Sequence, residues 1–175
     1  MAFGAGCLAR SQYERDCLVT EEYRIASEKI HGPGKTIVFL TDLHNKEFGK
    51  ENRRLMEAVR RVNPDAVLFG GDGMVAKKGN SDVEIPRKLL TELAKEFPVY
   101  CGNGNHECRM VWKSDIYGAA YENYRAALEN AGIRYLANGS ADLDGEIRIY
   151  GLDLPKSAYL PRSGQIPENL LKDAL

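Results

Sequence analysis

Short apolar runs alternate with amphipathic segments along the first two thirds of the chain. The runs at 36–42 (TIVFLTD), 63–72 (NPDAVLFGGD) and 98–107 (PVYCGNGNHE) carry β-branched and aromatic residues, which is typical of strands that a parallel sheet buries on both faces. The segments 51–62 and 84–97 place apolar residues at helical spacing. This order of strand, helix, strand, helix and strand predicts an α/β fold with a largely parallel sheet and flanking helices.

The rest of the chain predicts further elements. A partial two-residue alternation over 18–27 indicates an edge strand, and a helical pattern over 119–132 ends at a glycine. A short strand is expected at 134–136, followed by a hairpin that turns at Asp144-Gly145. The residues 168–175 are predicted to form a helix.

Length and composition limit the domain organisation and the class of partner. The chain has 175 residues, of which 43% are hydrophobic and 28% charged, and these values predict one globular domain over 18–175 after an N-terminal tail over 1–17. The net charge is −1, so the chain has no overall field that would attract nucleic acid or anionic lipid. We therefore expect no nucleic-acid partner, and any affinity for phosphate must be local.

The tail and the cysteines bear on localisation. The apolar part of the tail is far shorter than the ~20 residues that a membrane-spanning helix needs. The four cysteines show no CxxC spacing, and a domain of this size does not need disulfides. We expect a reduced cytoplasmic protein, or one that is membrane-associated through an anchor removed from the N-terminus.

Polar residues follow each of the three apolar runs. Asp42 and His44 follow the first run, Asp72 the second, and Asn105 and His106 the third. The carboxyl ends of adjacent parallel strands meet in one crevice, so we expect these side chains to converge there. An extended backbone at Asp42 and His44 would point both side chains the same way. Mixed oxygen and nitrogen donors suit divalent ions such as Mn²⁺, Fe²⁺ or Zn²⁺.

The ordered set D-x-H, G-D and G-N-H-E resembles the calcineurin-like metallophosphoesterase family, and all three motifs fall at the ends of predicted strands. The resemblance implies the N-terminal part of a four-layer αββα sandwich. It also implies a metal-dependent phosphoester hydrolase, either a phosphomonoesterase or a phosphodiesterase. The stretch SEKIHGPGKTIVFLTDLHN resembles the start of bacterial members, some of which carry a membrane anchor.

Residue roles follow from the resemblance. Asp42, His44 and Asp72 would hold a first divalent ion, while Asp72 and Asn105 would hold part of a second. The two ions would activate a water for attack on phosphorus. His106 would be the catalytic residue that protonates or stabilises the leaving oxygen. The implied substrate is a phosphorylated small molecule or a lipid-like phosphoester.

The family pattern continues with histidines that this chain lacks. Its histidines are His31, His44 and His106, so none follows position 106. We therefore expect a partial domain whose second metal site is weak or empty. We favour truncation of a normal enzyme, which could leave this chain inactive alone. A second chain that completes the sheet, or a non-catalytic phosphate-binding or assembly module, stays open.

Several of these residues have simpler interpretations. Asp42 and Asp72 could each cap a helix. Glu107 is expected to support the site or cap a helix, and not to bind metal. Cys101 and Cys108 are expected to be buried thiols in preference to zinc ligands. Arg109 could reach a substrate phosphate.

Overall fold

The computed structural model describes residue 10, residues 16–77 and residues 80–156. Four parallel strands form one sheet in the order β1-β2-β3-β4, which confirms the predicted α/β fold. The strands are β1 (Ile37–Leu40), β2 (Ala66–Phe69), β3 (Val99–Cys101) and β4 (Arg134–Tyr135). Because these four strands run parallel, their carboxyl ends lie at the same edge of the sheet.

Helices connect the strands, and a separate hairpin follows them. The helices are α1 (Arg53–Val62), α2 (Glu84–Ala94), α3 (Asn105–Trp112), α4 (Ser114–Tyr117) and α5 (Ala120–Asn130), and a 3-10 turn (Lys50–Asn52) precedes the first of them. The antiparallel hairpin of β5 (Gly139–Asp142) and β6 (Arg148–Gly151) turns at Asp144-Gly145, as the sequence predicts. The residues Asn105–Trp112 are helical directly after β3, so the third polar cluster lies at a helix start and not in an open loop.

The helices and the hairpin cover different faces of the sheet. Val67 and Phe69 of β2 and Val99 of β3 pack in one core cluster with apolar residues of α1, α2 and α5. On the other face, Tyr100 lies in a smaller cluster that includes residues of the hairpin. The amphipathic helices therefore bury one face of the sheet, as their apolar spacing requires.

Two sequence predictions are wrong at the N-terminal edge of the sheet. The segment 18–27 forms no strand, and within it Val19 and Ile25 are 73% and 89% exposed. The strand β1 is not buried on both faces, because it is the edge strand and Phe39 is 64% exposed. A continuous apolar run does not reveal whether a strand is central or lies at the edge, and neighbouring elements decide it.

Some predictions fall outside the part of the chain that the structure describes. These are the helix predicted over 168–175 and most of the tail predicted over 1–17. Among the described residues, no helix has both the length and the apolar character needed to cross a membrane.

Asp65 joins the starts of β1 and β2. Its backbone N–H donates to the carbonyl of Thr36 at 2.8 Å, and its carboxylate accepts the Thr36 N–H at 2.8 Å. Lys35 Nζ lies 3.3 Å from the same carboxylate. The Thr36 N–H, and secondly the Lys35 ammonium, lower the pKa of Asp65 below its ordinary value. The parallel register of the first two strands is thus supported by a carboxylate that must be ionised.

We predict that Asp65→Asn lowers the free energy of unfolding near pH 6 by about 1 kcal/mol or less, since part of the interaction is exposed to solvent. The folded pKa lies below the unfolded value of about 3.9, so this contribution is present above that value and is lost as the pH falls through the folded pKa. Urea unfolding at pH 6 and pH 3 measures the difference, with the exposed carboxylate variant Glu122→Gln as control. A difference that is equal at both pH values would contradict the role of the charge.

Candidate metal and phosphate site

Three short connections leave the carboxyl ends of β1, β2 and β3 and meet at one edge of the sheet. We call them the first loop (41–45), the second loop (70–76) and the third loop (102–104). Backbone pairing continues past the strands: Asp42 N–H donates to Gly71 O at 3.1 Å, and His44 N–H to Asp72 O at 3.0 Å. Asn45 N–H donates to Gly73 O at 2.9 Å. The first two polar clusters are therefore brought together by main-chain hydrogen bonds.

The first loop is not extended, contrary to the sequence prediction. Asp42 and His44 have φ values of 55° and 49°, and Asp72 in the second loop has 54°. Such left-handed backbone is uncommon for residues other than glycine, although Asp, Asn and His are enriched there. The convergence of the Asp42 and His44 side chains arises from these left-handed turns and not from strand alternation. Such strain gathers at functional sites, where the surrounding structure stabilises it.

Two glycines allow the second and third loops to touch. Gly71 has φ +93°, and a Cβ built there would lie 2.0 Å from the backbone nitrogen of Gly104. A Cβ on Gly104 would in turn lie 2.4 Å from the backbone nitrogen of Asp72. Side chains at either position would separate the loops, so the glycines place the Asp72 carboxylate beside the start of α3.

A buried glutamate ties the same two loops together. Glu107 is 1% exposed, and its carboxylate accepts the N–H of Asp72 at 2.8 Å and that of Gly73 at 3.0 Å. It also accepts the N–H of Gly104 at 3.0 Å, which caps the start of α3. Burial raises the pKa of Glu107, and the backbone donors oppose that rise. The sequence prediction that Glu107 supports the site or caps a helix describes this position well.

The convergence of the predicted site residues can be measured in the structure. One nitrogen or oxygen atom each of His44, Asp72 and His106 lie within 4.8 Å of one another, so polar groups from the ends of three strands converge at one place. Asp42 Oδ1 lies 3.7 Å from His44 Nε2. The side chains of Asp42 and His44 are 59% and 44% exposed, whereas Asp72 is buried. The site therefore has a buried side at the second loop and an open side at the first.

Asp72 faces the positive end of a helix. Its Oδ1 accepts the backbone N–H of His106 at 2.8 Å, in the first turn of α3. Backbone N–H groups at a helix start favour negative charge, so the start of α3 is a suitable place for this carboxylate. One oxygen of Asp72 therefore does cap a helix, as the simpler interpretation expected. The helix is α3, which follows β3, and not the helix that follows β2.

The ring of His106 is oriented by the backbone of the second loop. The Ala76 N–H donates to His106 Nδ1 at 3.0 Å, so a neutral ring must carry its proton on Nε2. Burial lowers the pKa of His106, and the charge of Arg109 lowers it further against the opposing effect of Asp72. A ring with a proton on Nε2 can donate that proton but cannot bind a metal ion through Nε2.

Asn105 follows the third loop as the first residue of α3. Its neighbours in sequence both contact Asp72: a Cβ on Gly104 would lie 2.5 Å from Asp72 Oδ1, and His106 donates its N–H to that atom. The backbone of Asn105 therefore lies close to the Asp72 carboxylate. Its role as a ligand stays a prediction.

Sequence reasoning missed the side-chain hydrogen bonds of Asn103, which hold the third loop in place. Asn103 Nδ2 donates to Asp153 Oδ2 at 2.7 Å, and Asn103 Oδ1 accepts the hydroxyl of Tyr135 at 2.5 Å. The Tyr121 hydroxyl lies 3.1 Å from Asn103 Nδ2 and 3.2 Å from Oδ1. Asn103 directly precedes the G-N-H-E motif, but its partners lie 18 to 50 positions away, so no local spacing could identify them.

The cysteines near the site have the properties of buried thiols. Burial raises the pKa of Cys108 to about 12 and that of Cys101 well above its ordinary value. A protonated thiol is a poor metal ligand. Within the described part of the chain, neither cysteine belongs to a group spaced for a metal ion.

The comparison with known protein families gives a match over most of the chain. The sequence profile described as calcineurin-like phosphoesterase matches residues 35–173, which is most of the chain. No curated protein matches the chain.

We predict that Glu107→Gln lowers the free energy of unfolding by about 2 kcal/mol, because an amide NH₂ placed among three backbone donors leaves at least one buried N–H without an acceptor. Glu92→Gln is the matched control, since its ion pair with Lys95 is on the surface and is worth less than about 1 kcal/mol. Urea unfolding of both variants at neutral pH measures the losses. Equal losses would contradict the central position of Glu107.

Proposed function

The chain belongs to the calcineurin-like phosphoesterase family, and we propose that it catalyses metal-dependent hydrolysis of phosphoesters at the edge where β1, β2 and β3 end. The family is generally one of hydrolytic phosphoesterases. The single observation that carries the proposal is the convergence of His44, Asp72 and His106 within 4.8 Å at that edge. His44 comes from the first loop, Asp72 from the second and His106 from the start of α3, so the fold joins residues that are far apart in the sequence.

The donors of the proposed site fit a divalent ion. We assign Asp42, His44 and Asp72 as ligands of one ion, because carboxylate oxygens and a neutral imidazole suit Mn²⁺, Fe²⁺ or Zn²⁺. The hydroxyl of Thr41 donates to Asp42 Oδ2 at 2.8 Å, which orients that carboxylate as supporting hydrogen bonds commonly do in metal sites. Bound divalent ions would lower the pKa of a water and neutralise charge on the phosphoryl oxygens.

A second ion would have fewer ligands from this chain. Asp72 and Asn105 are the residues that we assign to it, and one of them is neutral. The histidines of the chain are His31, His44 and His106, so imidazole ligands for a second ion are scarce. We therefore propose that the first position binds its ion more tightly than the second.

His106 is assigned to proton transfer and not to metal binding. Its Nδ1 accepts the Ala76 N–H, and Nε2 consequently holds the proton of the neutral ring. That proton is available to the oxygen that leaves phosphorus when the ester bond breaks. The lowered pKa of His106 favours the neutral ring, which is the form with this single donor.

A cavity of about 900 Å³ beside the site supports a substrate with an apolar group. Its lining includes Phe39, Leu43 and Phe48 together with Asp42 and His44. Asp42 and His44, two of the proposed metal ligands, therefore line the same cavity as these apolar side chains. We propose a phosphoester whose apolar part, such as an alkyl or acyl chain, lies in this cavity while its phosphate meets the ions.

We predict that the chain hydrolyses an aryl phosphate in the presence of Mn²⁺, and that Asp72→Asn lowers kcat/KM at least about 100-fold, since a central carboxylate ligand is replaced by a neutral amide. Chelation by EDTA should abolish turnover, and added Mn²⁺ should restore it. The control is Asp115→Asn, which changes an exposed carboxylate on α4. Turnover that survives chelation would contradict the proposal.

The same experiment separates hydrolysis from the alternative function. Elemental analysis of the purified chain should find bound divalent metal in the wild type and less in Asp72→Asn. If neither metal nor turnover is found but inorganic phosphate still binds, the chain is a non-catalytic phosphate-binding module and the hydrolase proposal fails.

We predict that KM falls as the alkyl chain of a phosphate ester lengthens, because about 0.8 kcal/mol is gained for each buried CH₂. Phe39→Ser should raise KM for the long esters several-fold and leave the short ones unchanged. The side chain of Phe39 is 64% exposed, so its loss should cost little stability. Tyr150→Ser, also at an exposed aromatic position but outside the cavity lining, is the control. A KM that is independent of chain length would contradict the apolar substrate.

A further inference from the structure

Two side chains of α3 hold the backbone of Ala76. The Ala76 N–H donates to His106 Nδ1 at 3.0 Å, and the Ala76 carbonyl accepts Arg109 Nη1 at 3.1 Å. His106 and Arg109 are three positions apart, so they lie on the same side of the helix. Ala76 itself is 0% exposed, and its backbone is thus fixed at both ends inside the protein.

The bond from Ala76 determines which nitrogen of His106 carries the proton. An N–H donor can meet only an unprotonated Nδ1, so the neutral ring is held as the Nε2–H tautomer. If the N–H of Ala76 turned away, either nitrogen could carry the proton. A fraction of the neutral rings would then carry the proton on Nδ1 and present none at Nε2.

Arg109 binds the same residue, Ala76, at its carbonyl group. Met74 and Ala76 are both 0% exposed and anchor the second loop in the core, and the Arg109 bond adds a polar restraint at the Ala76 carbonyl. With its N–H and its carbonyl both bound to α3, Ala76 is held on both sides of its Cα, so the second loop has less room to move away from His106. The guanidinium group has several donors in a fixed plane, which suits it to hold a carbonyl firmly.

We propose that Arg109 is a positioning residue: by holding the Ala76 carbonyl, it keeps the Ala76 N–H on His106 Nδ1 and the proton of the neutral ring on Nε2. The inference rests on the proposed role of His106 as the proton donor to the leaving oxygen. It assigns Arg109 to the orientation of His106 and not to direct contact with the substrate phosphate.

The first test measures the tautomer directly and needs no turnover. Long-range ¹H–¹⁵N spectra of protein labelled at histidine distinguish a protonated from an unprotonated ring nitrogen. The chain has three histidines, and His106→Gln identifies the signals of His106. Spectra at pH 8, well above the ordinary imidazole pKa of about 6.5, keep the rings neutral. We expect a single Nε2–H tautomer in the wild type and averaged nitrogen signals in Arg109→Met.

Matched variants separate the Arg109 bond from a general loss of stability. Arg109→Lys keeps a donor and should keep the wild-type tautomer, whereas Arg87→Met removes an arginine from α2 and should change nothing at His106. Arg109→Gln is the second variant if Arg109→Met does not fold. A wild-type His106 without the Nε2–H tautomer, or an Arg109→Met protein that retains it unchanged, would overturn the inference.

The second test uses leaving groups that differ in their need for a proton. With an alkyl phosphate, Arg109→Met should lower kcat about twofold with little change in KM, because fewer of the neutral rings then hold the proton that the leaving oxygen needs. With a nitrophenyl phosphate, whose leaving group needs no proton, kcat should stay near the wild type. A raised KM at unchanged kcat would instead indicate phosphate binding by Arg109 and overturn the inference. Absence of turnover in the wild type counts against the proposed function alone, and the tautomer then decides this inference.

Discussion

The candidate site depends on the hydrogen bonds that the Glu107 carboxylate accepts from three backbone N–H groups. This carboxylate is buried, and it accepts backbone N–H groups from the second loop, at Asp72 and Gly73, and from Gly104 at the end of the third. The loops that leave two neighbouring strands are thereby held against each other. A charge in such a place is stable only because several donors surround it, so the loops and the carboxylate require one another.

The other features of the site follow from that contact. Because the loops touch, Gly71 and Gly104 must lack side chains, and Asp72 adopts a left-handed conformation that turns its carboxylate towards the start of α3. The first loop then pairs with the second through main-chain hydrogen bonds, which brings His44 to the same place. In each case the path of the backbone decides where a side chain lies. Hydrogen bonds on either side stabilise the strained residues.

The site is asymmetric, and the asymmetry matches its proposed chemistry. Asp72 and Glu107 form the inner side of the site, where burial and hydrogen bonds keep the geometry rigid. Asp42 and His44 lie on the exposed side, where an ion and a substrate can enter, and they border the apolar cavity. His106 is half-buried, with one ring nitrogen engaged by Ala76 and the other free for the proton transfer that we propose.

The sequence by itself determined the class of fold and the order of the strands β1 to β3 and the helices between them, since apolar periodicity is a local property. It also marked Asp42, His44, Asp72 and His106 as candidates for the site. It could not determine that β1 is an exposed edge, that 18–27 forms no strand, or that Asp42 and His44 converge through left-handed turns. Nor could it reveal the long-range contacts of Glu107, Asn103 and Arg109, which join residues 18 to 50 positions apart. Only the tertiary structure decided these, because buried polar groups take whichever partners the fold brings near them.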